Sequence, residues 1–242
     1  MICAQALLLS TKRTIPLNET SAMSPKKRVV VLLSGDGSNL QALLDQEPDY
    51  QYEVVGVISN VPGAYGLERA RQHKVAALEL DHKVFSSRTA FDQRLVVEVS
   101  RFEPDLVVLA GYMRILGPEF VEQFAGRLIN IHPSLLPDYK GLGTYQRVLA
   151  DNRPKHGCTV HFVTLELDSG AHILQASLDI GPGDNEESLK RRVQTMEHRI
   201  YPLAVHLIAS GRVQLRNNAA LLDQQLLDPL GYQLHEDALE LE

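Results

Sequence analysis

Cysteine is scarce in this chain: 242 residues contain two, Cys3 and Cys158, one in the N-terminal tail and one inside an apolar run. There is no C-x-x-C pair and no disulfide framework, which argues against a structural zinc site and a secreted scaffold and points to a reducing, cytoplasmic compartment. Basic residues are in deficit as well, 24 Lys and Arg against 30 Asp and Glu for a net charge of −6. That balance speaks against a general nucleic-acid binder, although it leaves room for a local basic pocket around a small anion. No run of roughly 18 apolar residues occurs, so no membrane span is expected. The early ICAQALLLS segment is short, has no preceding basic residue and is followed by no convincing cleavage signal, a poor match to a secretory leader.

What is present, 44% hydrophobic and 22% charged residues, is ordinary for a globular protein with a well-buried core. Patterned sequence begins after Met23, so residues 1–25 are expected to form an N-terminal extension without order and 26–242 a single domain. Near-continuous apolar runs, RVVVLLS (28–34), YEVVGVIS (52–59), AALEL (76–80), LVVLAG (106–111) and RLINIH (127–132), read as strands covered on both faces. Between them Phe91, Leu95, Val99 and Phe102 recur at helical spacing, and Leu67 and Ala70 do so more weakly. This βαβ alternation predicts an α/β fold with a doubly wound, mostly parallel sheet. TVHFVTLEL (159–167) and HILQASLDI (172–180), separated by DSGA, predict an antiparallel hairpin. A helix should follow, with Asn185 as cap, a stripe from Leu189 to Leu207, Gly211 as stop and a kink or break at Pro202. The acidic last stretch is expected to fray at its end.

Three local patterns bear on chemistry. SGDGSNLQALL (34–44) is a strand, a Gly-rich turn and a helix start. It serves either as a plain tight turn or as an anion site in which N–H groups near Gly37, Ser38 and Asn39 face a phosphate. No G-K-[ST] follows, Leu40 stands where a dinucleotide fingerprint needs a third glycine, and the second strand ends in Ser59-Asn60 with no acidic residue. LAGYMRIL (109–116) lies at a carboxyl strand end, where Met113 to Leu116 offer an apolar wall, while Arg114 is equally suited to a solvated loop. In NIHP, Asn130 and His132 project to the same face and Pro133 ends the strand. A histidine in that place can simply be paired at a strand terminus, and Asp168 in LELDSGA can simply be a turn former.

Taken together, SGDGSNLQALL, GLERARQ, SSRTAFD, DLVVLAGYMRIL, INIHPSLLPDYKGL, HGCTVHFVTLELDSG and RVQTMEHRIYP closely resemble the phosphoribosylglycinamide formyltransferase family, folate-dependent enzymes of purine synthesis, over residues 28–232. The resemblance implies a Rossmann-like formyltransferase fold in which Asn130, His132 and Asp168 form the catalytic trio. It places the phosphate of glycinamide ribonucleotide at Gly37, Ser38 and Asn39, and the rest of that substrate near Gln194, Thr195, Met196 and Glu197. Folate is expected against Met113, Arg114, Ile115 and Leu116, the loop Thr164, Leu165, Glu166, Leu167 and Asp168, with Arg88 and Asn130 also in contact and His161 in support. The co-substrate implied is 10-formyltetrahydrofolate, with no metal, no nucleic acid and no membrane partner, in a monomer or homodimer. Two departures stand out: GLGTYQ puts Gly143 and Tyr145 where relatives often carry histidines, and SGAHIL replaces the usual Gly-Gly-Pro-hydrophobic run after Asp168.

The implied reaction is attack of the substrate amine on the formyl carbon, with negative charge developing on the formyl oxygen. Asn130 and protonated His132 supply donors to that oxygen, and Asp168 supports the imidazolium and helps relay a proton through water. A nicotinamide-dependent dehydrogenase is disfavoured by the glycine and acidic-residue mismatches. A non-catalytic binding module has no need of the trio. The nearest rival is a formyltetrahydrofolate hydrolase, or another formyltransferase on the same catalytic domain.

Overall fold

The computed structural model describes residues 25–239. The expected extension therefore lies, apart from Pro25, outside the described residues, as do the last three residues of the acidic stretch whose end is expected to fray.

The expected parallel strands form: β1 (Lys27–Leu33), β2 (Tyr52–Ser59), β3 (Ala76–Glu79), β4 (Leu106–Leu109) and β5 (Leu128–His132), joined through helices α1 (Ser38–Gln46), α2 (Tyr65–Gln72), α3 (Arg88–Ser100) and α4 (Pro118–Gln123). Their apolar runs follow from burial on both faces. Val29, Val31 and Leu33 enter one core with Leu40, Leu43 and Leu44 of α1. Val30 and Leu32 enter the other with Phe91, Leu95 and Val99 of α3. Because successive strand residues point to opposite faces, a strand between two helical layers has no position left for a polar side chain.

After α5 (Thr144–Ala150), β6 (Lys155–Phe162) and β7 (His172–Asp179) follow, and the eight-stranded sheet has the order β11-β7-β6-β5-β4-β1-β2-β3, with β11 at Tyr232–His235. Strand β6 is antiparallel to both β5 and β7. The expected hairpin is thus present with different bounds. Its first strand begins at Lys155 and stops at Phe162 instead of running through 159–167, and residues 163–171 form the connection. The cause is backbone crowding: a Cβ on Gly170 would sit 1.8 Å from the Phe162 carbonyl oxygen, so the chain doubles back there.

Helix α6 (Glu186–Ala209) opens on the expected Asn185, in a capping box with Ser188, and Gly211 follows its end with φ 75°. Of the kink or break expected at Pro202, the break does not occur. Pro202 is buried in an unbroken helix whose neighbours Tyr201, Ala204 and Val205 are also buried, and this packing offsets the missing hydrogen bond. Beyond α6 the acidic stretch is more ordered than its composition suggests. Val213–Arg216 (β8), Ala219–Leu222 (β9) and Gln225–Leu226 (β10) make a small antiparallel sheet, β11 adds a parallel edge strand to β7, and α7 (Glu236–Leu239) packs against α6.

Since β1 runs onward to β2 and β3 on one side while β4 and β5 lie on the other, the strand order reverses between β1 and β4. Ligands of open α/β sheets bind in the crevice outside the carboxyl ends at such a point. The turn after Leu33 and the segment after Leu109 both open into it.

Candidate active site

Asn130 and His132, two apart on β5, share one face, and the cross-strand partner of Asn130 is His161 on β6. The 163–171 connection returns over that face. It brings Asp168 Oδ2 to 3.5 Å from His132 Nδ1, both residues being more than nine-tenths buried. Asp168 has φ 48°, a left-handed turn that Asp tolerates, and its Oδ2 accepts the Gly141 N–H at 2.9 Å. His132 is held from the other side as well: its Nε2–H donates to the Tyr139 carbonyl at 3.0 Å.

His161 is fixed in one tautomer. Its Nδ1–H donates to the Phe162 carbonyl at 2.9 Å, so the Nε2 lone pair accepts from the Asn130 amide at 3.4 Å. Burial pushes its pKa down to about 4, and the neutral ring makes no ion pair with Asp168 Oδ1, 3.9 Å away. One Asn130 N–H is thereby committed to His161 and the other is left for a ligand. His156 lies behind the same loop. Burial and the neighbouring His132 hold it near pKa 4, against the pull of the Pro133 backbone.

At the turn after β1, Gly37 has φ 77°, and a Cβ there would meet the Gly66 Cα at 2.7 Å, so α1 starts against α2 through glycine alone. No side chain caps α1, whose first N–H groups open to the crevice. Asn39 donates to Glu197 Oε2 at 2.9 Å and links this turn to α6. Of the four α6 candidates only Glu197 makes this link. Met196 lies in the core, the Thr195 hydroxyl donates to the Arg191 carbonyl of its own helix, and Gln194 is half-buried.

Burial pushes the Glu197 carboxyl up to about 7, against the pull of the Asn39 hydrogen bond and Lys190. Its contribution to stability is full below about pH 4.5, where both states are protonated, and is lost as the pH rises through about 7. Glu197→Gln is therefore expected to match the wild type in acid and to be more stable by roughly 1–3 kcal/mol above neutrality. Melting temperature against pH checks this: parallel curves for the two proteins would contradict it.

The segment expected as an apolar wall is exposed in part, and two leucines of the 163–171 connection are exposed as well. Met113, Ile115, Leu165 and Leu167 are 70%, 58%, 58% and 47% exposed, while Leu116 is buried. The wall is tied to the β1 turn by the Met113 N–H, which donates to Ser34 Oγ at 2.8 Å. Arg88 donates to the Ile115 carbonyl. The Arg114 guanidinium, which the sequence leaves free to be a solvated charge, covers the Phe91 ring at 4.7 Å. Thr164 and Glu166 form a turn through the Thr164 hydroxyl, and Lys140 reaches Glu166 and Ser169. On the other side of this loop a cavity of about 540 Å³ opens toward the small sheet, lined by Lys140, Asp168, His172 and Leu227 among others.

Three supporting groups escape the sequence reading. Tyr139 and Gly141 act through backbone atoms, and no side-chain pattern reports on those. His156 sits three residues before the expected start of its strand, and the true register alone brings it under Pro133.

A formyl transferase family model matches residues 27–205. The chain is 50% identical over 210 residues to the phosphoribosylglycinamide formyltransferase of Escherichia coli (strain K12), a match covering 86% of this chain and 99% of that protein. It is 41% identical over 206 residues to the trifunctional purine biosynthetic protein adenosine-3 of Homo sapiens, covering 84% of this chain and 20% of that protein. The solved phosphoribosylglycinamide formyltransferase of Coxiella burnetii has 45% identity and a TM-score of 0.84, covering 87% of this chain and 100% of that one.

Proposed function

The chain belongs to the formyl transferase family, and on that premise we propose that it transfers the formyl group of 10-formyltetrahydrofolate to the amine of 5-phosphoribosylglycinamide in purine biosynthesis. The observation that carries the mechanism is the His132 ring held between Asp168 and the Tyr139 carbonyl, beside Asn130, at the carboxyl end of β5. The substrate amine attacks the formyl carbon, a new C–N bond forms and the oxygen takes negative charge. The free Asn130 N–H and His132 Nε2–H donate to that oxygen, which replaces the Tyr139 carbonyl as acceptor. The bond to the folate nitrogen then breaks, and the proton lost by the amine reaches that nitrogen by way of Asp168, His132 or water. Donors already in place in a site shielded from water stabilise such charge at little reorganisation cost.

The exposed wall of Met113, Ile115, Leu165 and Leu167 suits the flat body of a folate, and the open start of α1 suits a phosphate. Glu197, tied to the α1 turn by Asn39 and with its carboxyl pushed up to about 7 by burial, suits pairing with an ammonium or taking its proton. Scarce cysteine supports a reducing, cytoplasmic setting, and among the described residues no helix is long and apolar enough to cross a membrane. The product tests the assignment: with both substrates present, mass spectrometry should find formylated ribonucleotide, and free formate alone would refute it.

The phosphate cradle has its own test. Gly37→Val is a poor probe, because a Cβ there collides with the Gly66 backbone and disturbs the fold. Ser38→Asp keeps a residue that helix starts favour and adds a charge where the phosphate would sit. It should raise the KM for ribonucleotide roughly tenfold and leave that for formyl folate unchanged. Equal changes in both would remove the phosphate from this turn.

A further inference from the structure

Behind the 112–117 segment lies a charged group for which the reaction has no evident use. Asp92 on α3 is 3% exposed, and its Oδ2 accepts the Gly117 N–H at 3.0 Å. The same oxygen is 3.9 Å from Arg88 Nε, and Arg88 in turn donates to the Ile115 carbonyl. Asp92 Oδ1, the Tyr112 hydroxyl and Arg114 Nε are buried without partners. Burial raises the Asp92 pKa against the pull of Gly117, Arg88 and Arg114. A Cβ at position 117 would lie 2.6 Å from Asp92 Oδ2, so a side chain there displaces the carboxylate even though the φ of −78° suits any residue. A partly satisfied buried carboxylate costs stability, and its one direct hydrogen bond and its nearest cation both act on the backbone that carries Met113 and Ile115.

We propose that Asp92 is a positioning residue for formyl-folate binding: through Gly117 and Arg88 it holds the Ile115–Gly117 backbone, and so sets where the exposed Met113 and Ile115 side chains meet the folate. This rests on the folate reading of that wall. The residue has no contact with the reacting atoms, so its loss should appear in the KM for one substrate and not in the chemical step.

Steady-state kinetics on Asp92→Ala, Gly117→Ala, their double variant and Ile115→Ser test it. Asp92→Ala and Gly117→Ala should each raise the KM for formyl folate about tenfold, with kcat within about twofold and the KM for ribonucleotide unchanged. Both substitutions break one contact, so the double variant should be no worse than the poorer single one. Should Asp92→Ala yield no folded protein, Gly117→Ala decides alone by the same ratio. If Ile115→Ser raises the KM for formyl folate while the Asp92 and Gly117 variants leave it unchanged, the positioning role is wrong and the folate wall stands. If Ile115→Ser also leaves it unchanged, the folate reading fails and this inference fails with it.

Discussion

His132→Ala should lower kcat by roughly 10²–10³, the loss typical of one oxyanion donor, and leave formyl-folate affinity within a few fold. The ring is more than nine-tenths buried between Asp168 and the Tyr139 carbonyl, and so contributes little contact surface to a ligand. Its value lies in a donor directed at charge that exists only in the transition state. Alanine leaves a small hole but also releases the Tyr139 carbonyl and one face of Asp168, so folding must be checked alongside the rate. Single-turnover kinetics with calorimetric folate binding separates the two effects. Near-normal turnover in a folded, folate-binding variant would contradict the assignment.

Asp168→Asn should cost roughly 10² in kcat, and the loss should run through His132. Asparagine tolerates the left-handed backbone at φ 48° and still offers an oxygen to the Gly141 N–H, so the loop keeps its course. What disappears is the negative charge facing His132 Nδ1 at 3.5 Å. Two residues that act as a unit do not multiply their losses, so the double variant with His132→Ala should be no slower than His132→Ala alone. A simple product of the two losses would show that Asp168 acts independently of the imidazole.

Asn130 and His132 are readable because both lie on one strand, where period two and Pro133 settle their shared face. Asp168 is harder, because Leu165 and Leu167 alternate with Thr164 and Glu166 as they would in a strand, yet both leucines face solvent in a loop. The continuous apolar runs of β1 and β4 marked their strands correctly, whereas strand-like alternation misled at the end of β6, since local pattern cannot register the close approach of Gly170 to Phe162. Glu197 and Asn39 lie far apart in the chain and meet only through the packing of α6 on α1. Pro202 leaves α6 unbroken for a related reason, as tertiary burial outweighs a local helix breaker. The strands β8 to β10 and the edge strand β11 are too short to stand out. Asp92 reads as an ordinary acidic residue in a helix until Gly117 and Arg88 are seen beside it.

The family and the trio leave one question that kinetics answers most directly, because the same three residues would polarise a formyl group for water as well as for an amine. The measurement is the rate of 10-formyltetrahydrofolate consumption with and without glycinamide ribonucleotide. Rapid consumption is expected only when the ribonucleotide is present, with the formyl group recovered on its amine. Consumption at the same rate without the acceptor, releasing formate, would contradict it and make the protein a hydrolase.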